Sequence, residues 1–318
     1  MSKFPFGKPS FPFVTLDVFT TTPFAGNQLA IVVIPPDQHD TLTTAQMQAV
    51  TREFNFSETV FLFQRASHAA TDVPEWRIRI FFPKHELAFA GHPTIGTAVY
   101  ALGTLMQGAN KGRLLCPAGP IELEYFPSEQ RARASIPHNF HRHTEADFTR
   151  EQVYALQPKL KDAGVEFKDV NVLSSVKGMN IVAVELADRE ALAQVYISGI
   201  PARPKLDSDW DVGFGAAYYY VFIDRGGTGR PTVIRTRMME GTLEDPATGS
   251  AACALSCFLA LEMRQGGQTE FQITQGVEME RQSEINVRVT LGDGGKGNIE
   301  KVELGGCAVQ VTEGKIRL

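Results

Sequence analysis

Residues 86–102, ELAFAGHPTIGTAVYAL, and residues 244–261, EDPATGSAACALSCFLAL, decide the fold of this 318-residue chain. In each stretch a glycine precedes a helix-like run, 93–102 in the first and 251–261 in the second, with apolar residues on all sides of the helical wheel. A helix that is apolar on every side is buried on every side. We therefore expect two central helices, each enclosed by other elements.

The sequence around these helices repeats. The pattern Arg77-x-Arg79, then Glu86, then Gly91 recurs as Arg235-x-Arg237, Glu244 and Gly249 at one constant offset of 158 residues, without a gap. A fixed offset between similar stretches indicates an internal repeat. The polar segment 137–151 has little periodicity and separates the halves. We predict two related domains, 1–140 and 141–318.

Most other patterns in the chain are short runs typical of strands. The fold class is therefore predicted to be α/β in the broad, α+β sense: two pseudo-symmetric domains, each a curved, mostly antiparallel sheet wrapped around a central helix. Strands are predicted at 13–19, 29–34, 58–63, 76–82, 121–125, 132–136, 170–173, 181–186, 218–223, 231–238, 285–291, 299–304 and 309–311, and a helix at 44–53.

Composition excludes several classes of function. Apolar residues make up 43% and charged residues 21%, as in ordinary globular proteins. The net charge of −5 without a long basic run argues against binding to nucleic acid. Four cysteines are too few for a disulfide scaffold, which favours a reducing compartment. With no signal-peptide pattern and no apolar run long enough to span a bilayer, we expect a cytoplasmic protein that does not contact membranes.

The two glycine turns are candidate anion sites. Gly91-His92-Pro93 and Gly249-Ser250-Ala251 each read as a turn, a polar capping residue and a first helical residue. Unpaired N–H groups and the positive end of the helix dipole attract carboxylates at such places. Two ordinary capped helices remain the alternative interpretation.

Four stretches resemble the signature segments of the PhzF-like phenazine-biosynthesis family: GNQLAIV (26–32), FNFSETVFL (54–62), ELAFAGHPTIGTA (86–98) and EDPATGSAACAL (244–255). That family shares the diaminopimelate epimerase fold. The resemblance implies an active site in an interdomain cleft and a homodimer, and it allows the last strand, about 308–318, to return to the first domain.

The resemblance also implies roles for individual residues. Glu58 corresponds to a catalytic glutamate, and its place at the start of an apolar strand fits a proton shuttle whose pKa is raised by desolvation. His92 and Asp245 correspond to active-site residues that orient and polarise a substrate. Candidate substrate-binding residues complete the set: Asn27, Gly91, Gly249 and Ser250. No cofactor and no metal are expected.

Alternatives remain open at this point. Diaminopimelate epimerases and proline racemases carry one cysteine at each of the two turns, where this chain has Gly91 and Gly249, so two-thiol racemisation is disfavoured. Cys253 and Cys257 lie one helical turn apart and are interpreted as buried hydrophobic residues. The chain is predicted to be an isomerase of a small carboxylate-bearing metabolite. The second hypothesis is a non-catalytic protein of the same fold that binds a metabolite or another protein.

Two further motifs are interpreted as structural. The string at 292–297 has the G-x-G-x-x-G form, but a predicted strand follows it where dinucleotide binding requires a helix. His138, His141 and His143 have a spacing that could hold a metal, yet no cysteine pair accompanies them.

Overall fold

The computed structural model describes residues 9–65, 73–107, 109–145, 148–210, 213–227, 229–263, 267–292 and 298–317. The chain divides into two compact units. The first comprises Met1–Phe24, Gln28–Ala134 and Gly306–Leu318, and the second comprises Ala25–Asn27 and Ser135–Gly305. The path therefore changes unit at 25–27 and at 306 as well as near 135.

The first unit contains eight strands of its own, two α-helices and the end of the last strand. Its elements are β1 (Ser10–Val18), β2 (Asn27–Ile34), α1 (Thr44–Phe54), β3 (Glu58–Phe63), β4 (Glu75–Phe81), β5 (Glu86–Leu87), α2 (Gly91–Tyr100), β6 (Lys111–Cys116), β7 (Gly119–Phe126) and β8 (Arg131–Ser135). Strands β2 and β3 are parallel, as are β4 and β6, while β3–β4, β6–β7 and β7–β8 are antiparallel. A turn of π-helix, Ala101–Leu105, extends α2.

The second unit repeats this order and begins with one additional short strand and two additional short helices. Its elements are β9 (His141–Arg142), α3 (Arg150–Leu156), α4 (Pro158–Asp162), β10 (Phe167–Val176), β11 (Met179–Leu186), α5 (Arg189–Ala193), β12 (Phe214–Asp224), β13 (Thr232–Glu240), β14 (Leu243–Asp245), α6 (Gly249–Met263), β15 (Gly267–Gln275), β16 (Ser283–Leu291) and β17 (Ile299–Arg317). β17 ends in the first unit, where its residues Ala308–Arg317 pair antiparallel with β1.

Each sheet curves around its central helix. Helix α2 contacts β1, β3, β6 and β7, and α6 contacts β10, β11, β15 and β16. Both helices are buried over nearly their whole first two turns. In the first unit α1 packs on the outer side of the sheet, with Met47 and Val50 against Phe61 and Phe81. The expected fold class is confirmed, since each unit buries one helix inside its sheet.

The repeat extends to the register of the strands. Thr59 lies opposite Phe81 and Phe81 opposite Glu86, while Ala217 lies opposite Met239 and Met239 opposite Glu244. Every one of these residues keeps the offset of 158. The internal repeat seen in the sequence therefore has matching backbone pairing.

The repeated arginine and glutamate form the same ion pair in both units. Arg79 Nη2 lies 2.6 Å from Glu86 Oε2, and Arg237 Nη2 lies 2.7 Å from Glu244 Oε2. The environments differ, because about a quarter of the first pair's side chains is exposed and only 6–7% of the second's. Arg237 also donates to the carbonyl oxygens of Leu192, Ala193 and Val195. The second pair therefore fastens α5 to the sheet.

Glu244→Gln should destabilise the protein more than Glu86→Gln. Losing the carboxylate leaves the buried Arg237 charge with Glu278, 4.0 Å away, as its remaining ion-pair partner, which costs about 3 kcal/mol, whereas the half-buried Arg79 keeps access to water and the loss is about 1 kcal/mol. Urea unfolding at neutral pH, followed by circular dichroism, measures both free energies. Equal losses for the two variants would contradict this difference.

Most predicted elements are confirmed, with changes at their ends. Helix α1 ends at Phe54 because Asn55 adopts a left-handed conformation, with a φ of 55°. Helix α2 begins at Gly91 rather than after His92, since the N–H and hydroxyl of Thr94 both bond to the carbonyl of Ala90. The predicted elements do not include the strands β5, β6, β9, β14 and β15 or the helices α3, α4 and α5, because these are short or their apolar patterns are interrupted by charged residues. Among the helices in the described part of the chain, none combines the length and apolarity that a membrane span requires.

Candidate active site

Glu58 is the first residue of β3 and pairs with Leu29 on the parallel strand β2. Its side chain is 15% exposed, and its Oε2 lies 3.5 Å from Nε2 of His92. Among the described residues, no hydrogen-bond partner reaches that oxygen. Within the described ranges, the imidazole of His92 is the basic group recorded within 4 Å of this carboxyl group.

Burial sets the acidity of Glu58. Desolvation raises the pKa of its carboxyl group from 4.5 to about 7, and the neighbouring Ser57 side chain lowers it in part. Loss of hydration penalises the charged form of a carboxyl group, which accounts for the direction. A carboxyl group with a pKa near neutrality is present in both protonation states, so it can take up a proton and return it.

His92 belongs to the first turn of α2 and its side chain is 7% exposed. Pro93 follows it and has no N–H group, a loss that the first turn of a helix tolerates. The amides of Gly91 and His92 lie at the N-terminal end of the helix, where no preceding turn can accept their protons. The first unit thus combines a buried carboxyl group, an imidazole and a helix N-terminus.

Asp245 ends β14 in the second unit and accepts a set of short hydrogen bonds. Asn27 Nδ2 donates to its Oδ1 at 2.9 Å, and the hydroxyl of Thr248 donates to its Oδ2 at 2.6 Å. The same Asn27 amide donates to the carbonyl of Ala247 at 3.0 Å. The side-chain amide of Asn27 therefore donates two hydrogen bonds to the turn that carries Asp245. Helix α6 begins directly after this turn with Gly249 and Ser250. The residue before them, Thr248, accepts a hydrogen bond at its carbonyl oxygen from the N–H of Ala252.

The structure brings the predicted residues together in two sets. Glu58, Gly91 and His92 form the set of the first unit. Asn27, Asp245, Gly249 and Ser250 form the set of the second unit. The prediction that both sets line one interdomain cleft stays a prediction.

Because the two units repeat, their two sets of residues can be compared position by position. By strand register, Ala216 of the second unit occupies the position of Glu58, and Leu87 of the first unit occupies the position of Asp245. Of these two positions, the first unit therefore carries a carboxyl group at one and the second unit at the other. In the first unit, burial raises the pKa of the Glu58 carboxyl group to about 7.

Sequence reasoning missed Gln275, the last residue of β15. It is fully buried and bonds the backbone of Asp245 and Thr248. The signal was present, since Phe271, Ile273 and Gln275 alternate on the buried face of the strand, and a glutamine in such a row requires polar partners.

The cysteines give no support to two-thiol chemistry. Cys253 and Cys257 are buried inside α6, and burial raises the pKa of Cys253 to about 12 and that of Cys257 well above its ordinary value. Only the thiolate form of cysteine is an effective nucleophile or base. Both residues are therefore packing residues at neutral pH.

A histidine cluster in the second unit contains His141, His143 and Asp207, with ligand atoms within 4.8 Å of one another. His138 is not part of it and contacts the carbonyls of Ile136 and Ile299. The hydroxyl of Ser174 donates to Asn180, so Nε2 of His143 donates to Ser174, while Nδ1 of His143 accepts from the backbone N–H of Asp207.

Both nitrogens of His143 are thus occupied, and burial lowers its pKa. Burial alone would raise the pKa of Asp207, but hydrogen bonds from Thr144, His141 and Glu145 outweigh it and hold that pKa at about 2. Ser174 lies beside this cluster, so a serine, a histidine and an aspartate are close together. Ser174 is fully buried and is therefore not an accessible nucleophile. It joins β9, β10 and the segment before β12.

The G-x-G-x-x-G string lies mostly outside the described residues, which omit 293–297. Strand β16 ends at Leu291 before it and strand β17 begins at Ile299 after it. The expected strand is confirmed, and a phosphate-binding helix does not follow.

Two repeated sheet-wrapped helices, with a buried carboxyl–imidazole pair at the start of one of them, characterise the fold and the candidate site of this protein. The chain belongs to the PhzC-PhzF family of phenazine biosynthesis-like proteins, whose family model matches residues 16–314. It is 32% identical to an uncharacterised isomerase of Mesorhizobium japonicum over 96% of this chain and 98% of the other.

A second relative has an assigned reaction. The trans-2,3-dihydro-3-hydroxyanthranilate isomerase of Pseudomonas fluorescens is 30% identical, over 96% of this chain and 99% of the other. The crystal structure of a PhzF-family phenazine biosynthesis protein from Bacillus anthracis superposes with a TM-score of 0.73 at 20% identity, covering 98% of this chain and all of the other. The chain is therefore an isomerase of this family, and the solved structure supports its fold.

Proposed function

We propose that this protein is a cofactor-independent isomerase that relocates a proton on a small carboxylate-bearing, conjugated metabolite, with Glu58 as the acid/base. The observation that carries the proposal is the buried pair of Glu58 and His92, in which burial raises the pKa of the carboxyl group to about 7. The relative that isomerises trans-2,3-dihydro-3-hydroxyanthranilate supports a substrate of that chemical class.

The reaction balances within substrate and enzyme. The Glu58 carboxylate removes a proton from an sp³ carbon conjugated with the substrate's π system, and the electron pair of the broken C–H bond moves into that system. The protonated Glu58 then gives the proton to another carbon, and the double bond shifts. No electron leaves the substrate, so no oxidant or reductant is required.

Other residues would hold and polarise the substrate. His92 is placed to hydrogen-bond the substrate or to tune Glu58, since imidazole titrates near neutrality. The N-termini of α2 and α6, at Gly91 and at Gly249 with Ser250, are proposed to bind the acid group of the substrate. Asp245 is proposed to orient a donor group of the substrate, because its hydrogen bonds fix the direction of its carboxylate.

A deuterium experiment tests this function. The protein is incubated in D₂O with trans-2,3-dihydro-3-hydroxyanthranilate and a panel of enolisable conjugated acids, and substrate C–H signals are followed by proton NMR. We expect at least one acid to lose a C–H signal to deuterium or to acquire the C–H signals of an isomer. The same acid should stay unchanged with Glu58→Gln. If no acid changes in a Glu58-dependent way, the protein is better described as a metabolite-binding protein.

A further inference from the structure

Gln275 is a densely hydrogen-bonded side chain next to Asp245. It is fully buried, and its amide reaches five polar atoms. Nε2 donates to the carbonyl of Asp245 at 2.8 Å and to Oγ1 of Thr248 at 3.0 Å. Oε1 accepts from the hydroxyl of Tyr218 at 3.1 Å and from the N–H of Thr248 at 3.3 Å, with Oγ1 of Thr236 at 3.5 Å. All of its hydrogen-bonding capacity is used.

The neighbours fix the orientation of this amide. The carbonyl of Asp245 can only accept and the N–H of Thr248 can only donate, so the nitrogen of Gln275 must face the first and its oxygen the second. The amide nitrogen therefore donates to the Thr248 hydroxyl. That hydroxyl can then direct its own proton only to Asp245 Oδ2, 2.6 Å away.

Tyr218 begins this chain of hydrogen bonds as a neutral donor. Burial raises the pKa of its hydroxyl, the charge of Asp245 raises it further, and a hydrogen bond with Thr236 lowers it in part. The proton order is thus Tyr218 to Gln275, Gln275 to Thr248, and Thr248 to Asp245. Each bond polarises the next, which strengthens the last one.

The corresponding positions of the first unit, all within the described residues, hold no such arrangement. By register, Val60 and Ile78 take the places of Tyr218 and Thr236, and Cys116 that of Gln275. The two units therefore differ at these three places. Val60, Ile78 and Cys116 occupy them in the unit of Glu58, whereas the unit of Asp245 has the hydrogen-bonded Gln275 with Tyr218 and Thr236.

We infer that Gln275 is a positioning residue for the isomerase reaction, which acts through the Thr248 hydroxyl to hold the Asp245 carboxylate in one orientation toward the substrate. The inference rests on the proposed function for the part that concerns substrate. The hydrogen-bond relay itself is independent of it.

The test compares Thr248→Val with Thr248→Ser. Valine has the shape of threonine without the hydroxyl, and serine keeps the hydroxyl. We expect Thr248→Val to lower kcat/KM roughly tenfold or more, the effect of losing one hydrogen bond to a charged group, with a raised KM. Thr248→Ser should recover most of that loss. A merely structural role would reduce the amount of active enzyme, lowering kcat with KM unchanged.

Gln275→Met should also raise KM, and the matched change in the first unit, Cys116→Ser, should not. Proton NMR supplies a readout that needs no substrate. The Thr248 hydroxyl proton should give a slowly exchanging, downfield signal that is absent in Thr248→Val and moved upfield in Gln275→Met. An unchanged signal in Gln275→Met, or equal kinetics of the valine and serine variants, would overturn the inference. The expected NMR result without turnover of any acid would leave the relay standing and count against the proposed function alone.

Discussion

Glu58→Gln is expected to lower isomerase turnover by about a thousandfold, within the range that general acid–base catalysis contributes. Glutamine keeps the shape of the side chain but cannot take up or release a proton near neutral pH. The remaining residues still hold the substrate, so KM should change much less than kcat. Steady-state kinetics on an acid that the wild-type protein isomerises measures both parameters.

Two further variants control this result. Glu58→Asp keeps the carboxyl group but shortens its reach, so its turnover should fall between those of the wild type and of Glu58→Gln. Glu53→Gln removes an exposed carboxylate from α1 and should leave turnover unchanged. Turnover of Glu58→Gln within tenfold of the wild type would mean that another group carries the proton.

The second large effect concerns stability as a function of pH. The folded protein raises the pKa of Glu58 from 4.5 to about 7, so between these values it holds a proton that the unfolded chain has released. The free energy of unfolding therefore contains a favourable contribution that is complete below pH 4.5 and is lost as the pH rises through about 7. A shift of this size corresponds to about 3 kcal/mol.

Glu58→Gln removes this contribution, because glutamine does not titrate. We expect the free energy of unfolding of the wild type to fall by about 3 kcal/mol relative to the variant between about pH 4.5 and about pH 8.5. Urea unfolding at a series of pH values measures this difference, and Glu53→Gln should follow the wild type throughout. A constant difference between wild type and Glu58→Gln would show that burial does not perturb the carboxyl group.

The repeat and the central helices could be predicted from the sequence because both leave a direct pattern. The offset between Arg79–Glu86 and Arg237–Glu244 survives as an ion pair in each unit. The apolar runs after Gly91 and Gly249 become α2 and α6, since only complete burial suits their composition. Short elements such as α5 carry too few residues for a period to be visible.

The site could be predicted only in part. The motif around Glu58 identifies the residue, but its raised pKa depends on how completely β2, β4 and α2 exclude water from one end of β3, which no spacing reveals. Gln275 lies 30 residues from Asp245 in sequence, and the parallel pairing of β13 with β15 brings it to the turn. Such a contact follows from sheet topology and leaves no local motif.

Spacing along the chain does not identify which histidines lie together. His138, His141 and His143 lie within six residues of one another, yet the cluster consists of His141, His143 and the distant Asp207. In an extended segment residues two apart share a face, whereas His138 is three residues before His141 and contacts the carbonyls of Ile136 and Ile299 instead. Here the backbone of Asp207 bonds His143 and its carboxylate bonds His141, so the polar groups satisfy one another.

The titration of Glu58 is the most direct test of whether burial prepares this carboxyl group to carry a proton. In protein labelled with ¹³C at the glutamate carboxyl groups, the Glu58 signal is identified by its absence from Glu58→Gln and followed as the pH is changed. Burial of the carboxyl group predicts a midpoint of about 7. A midpoint near 4.5, the ordinary value of a glutamate, would contradict the claim that burial prepares this carboxyl group to carry a proton at neutral pH.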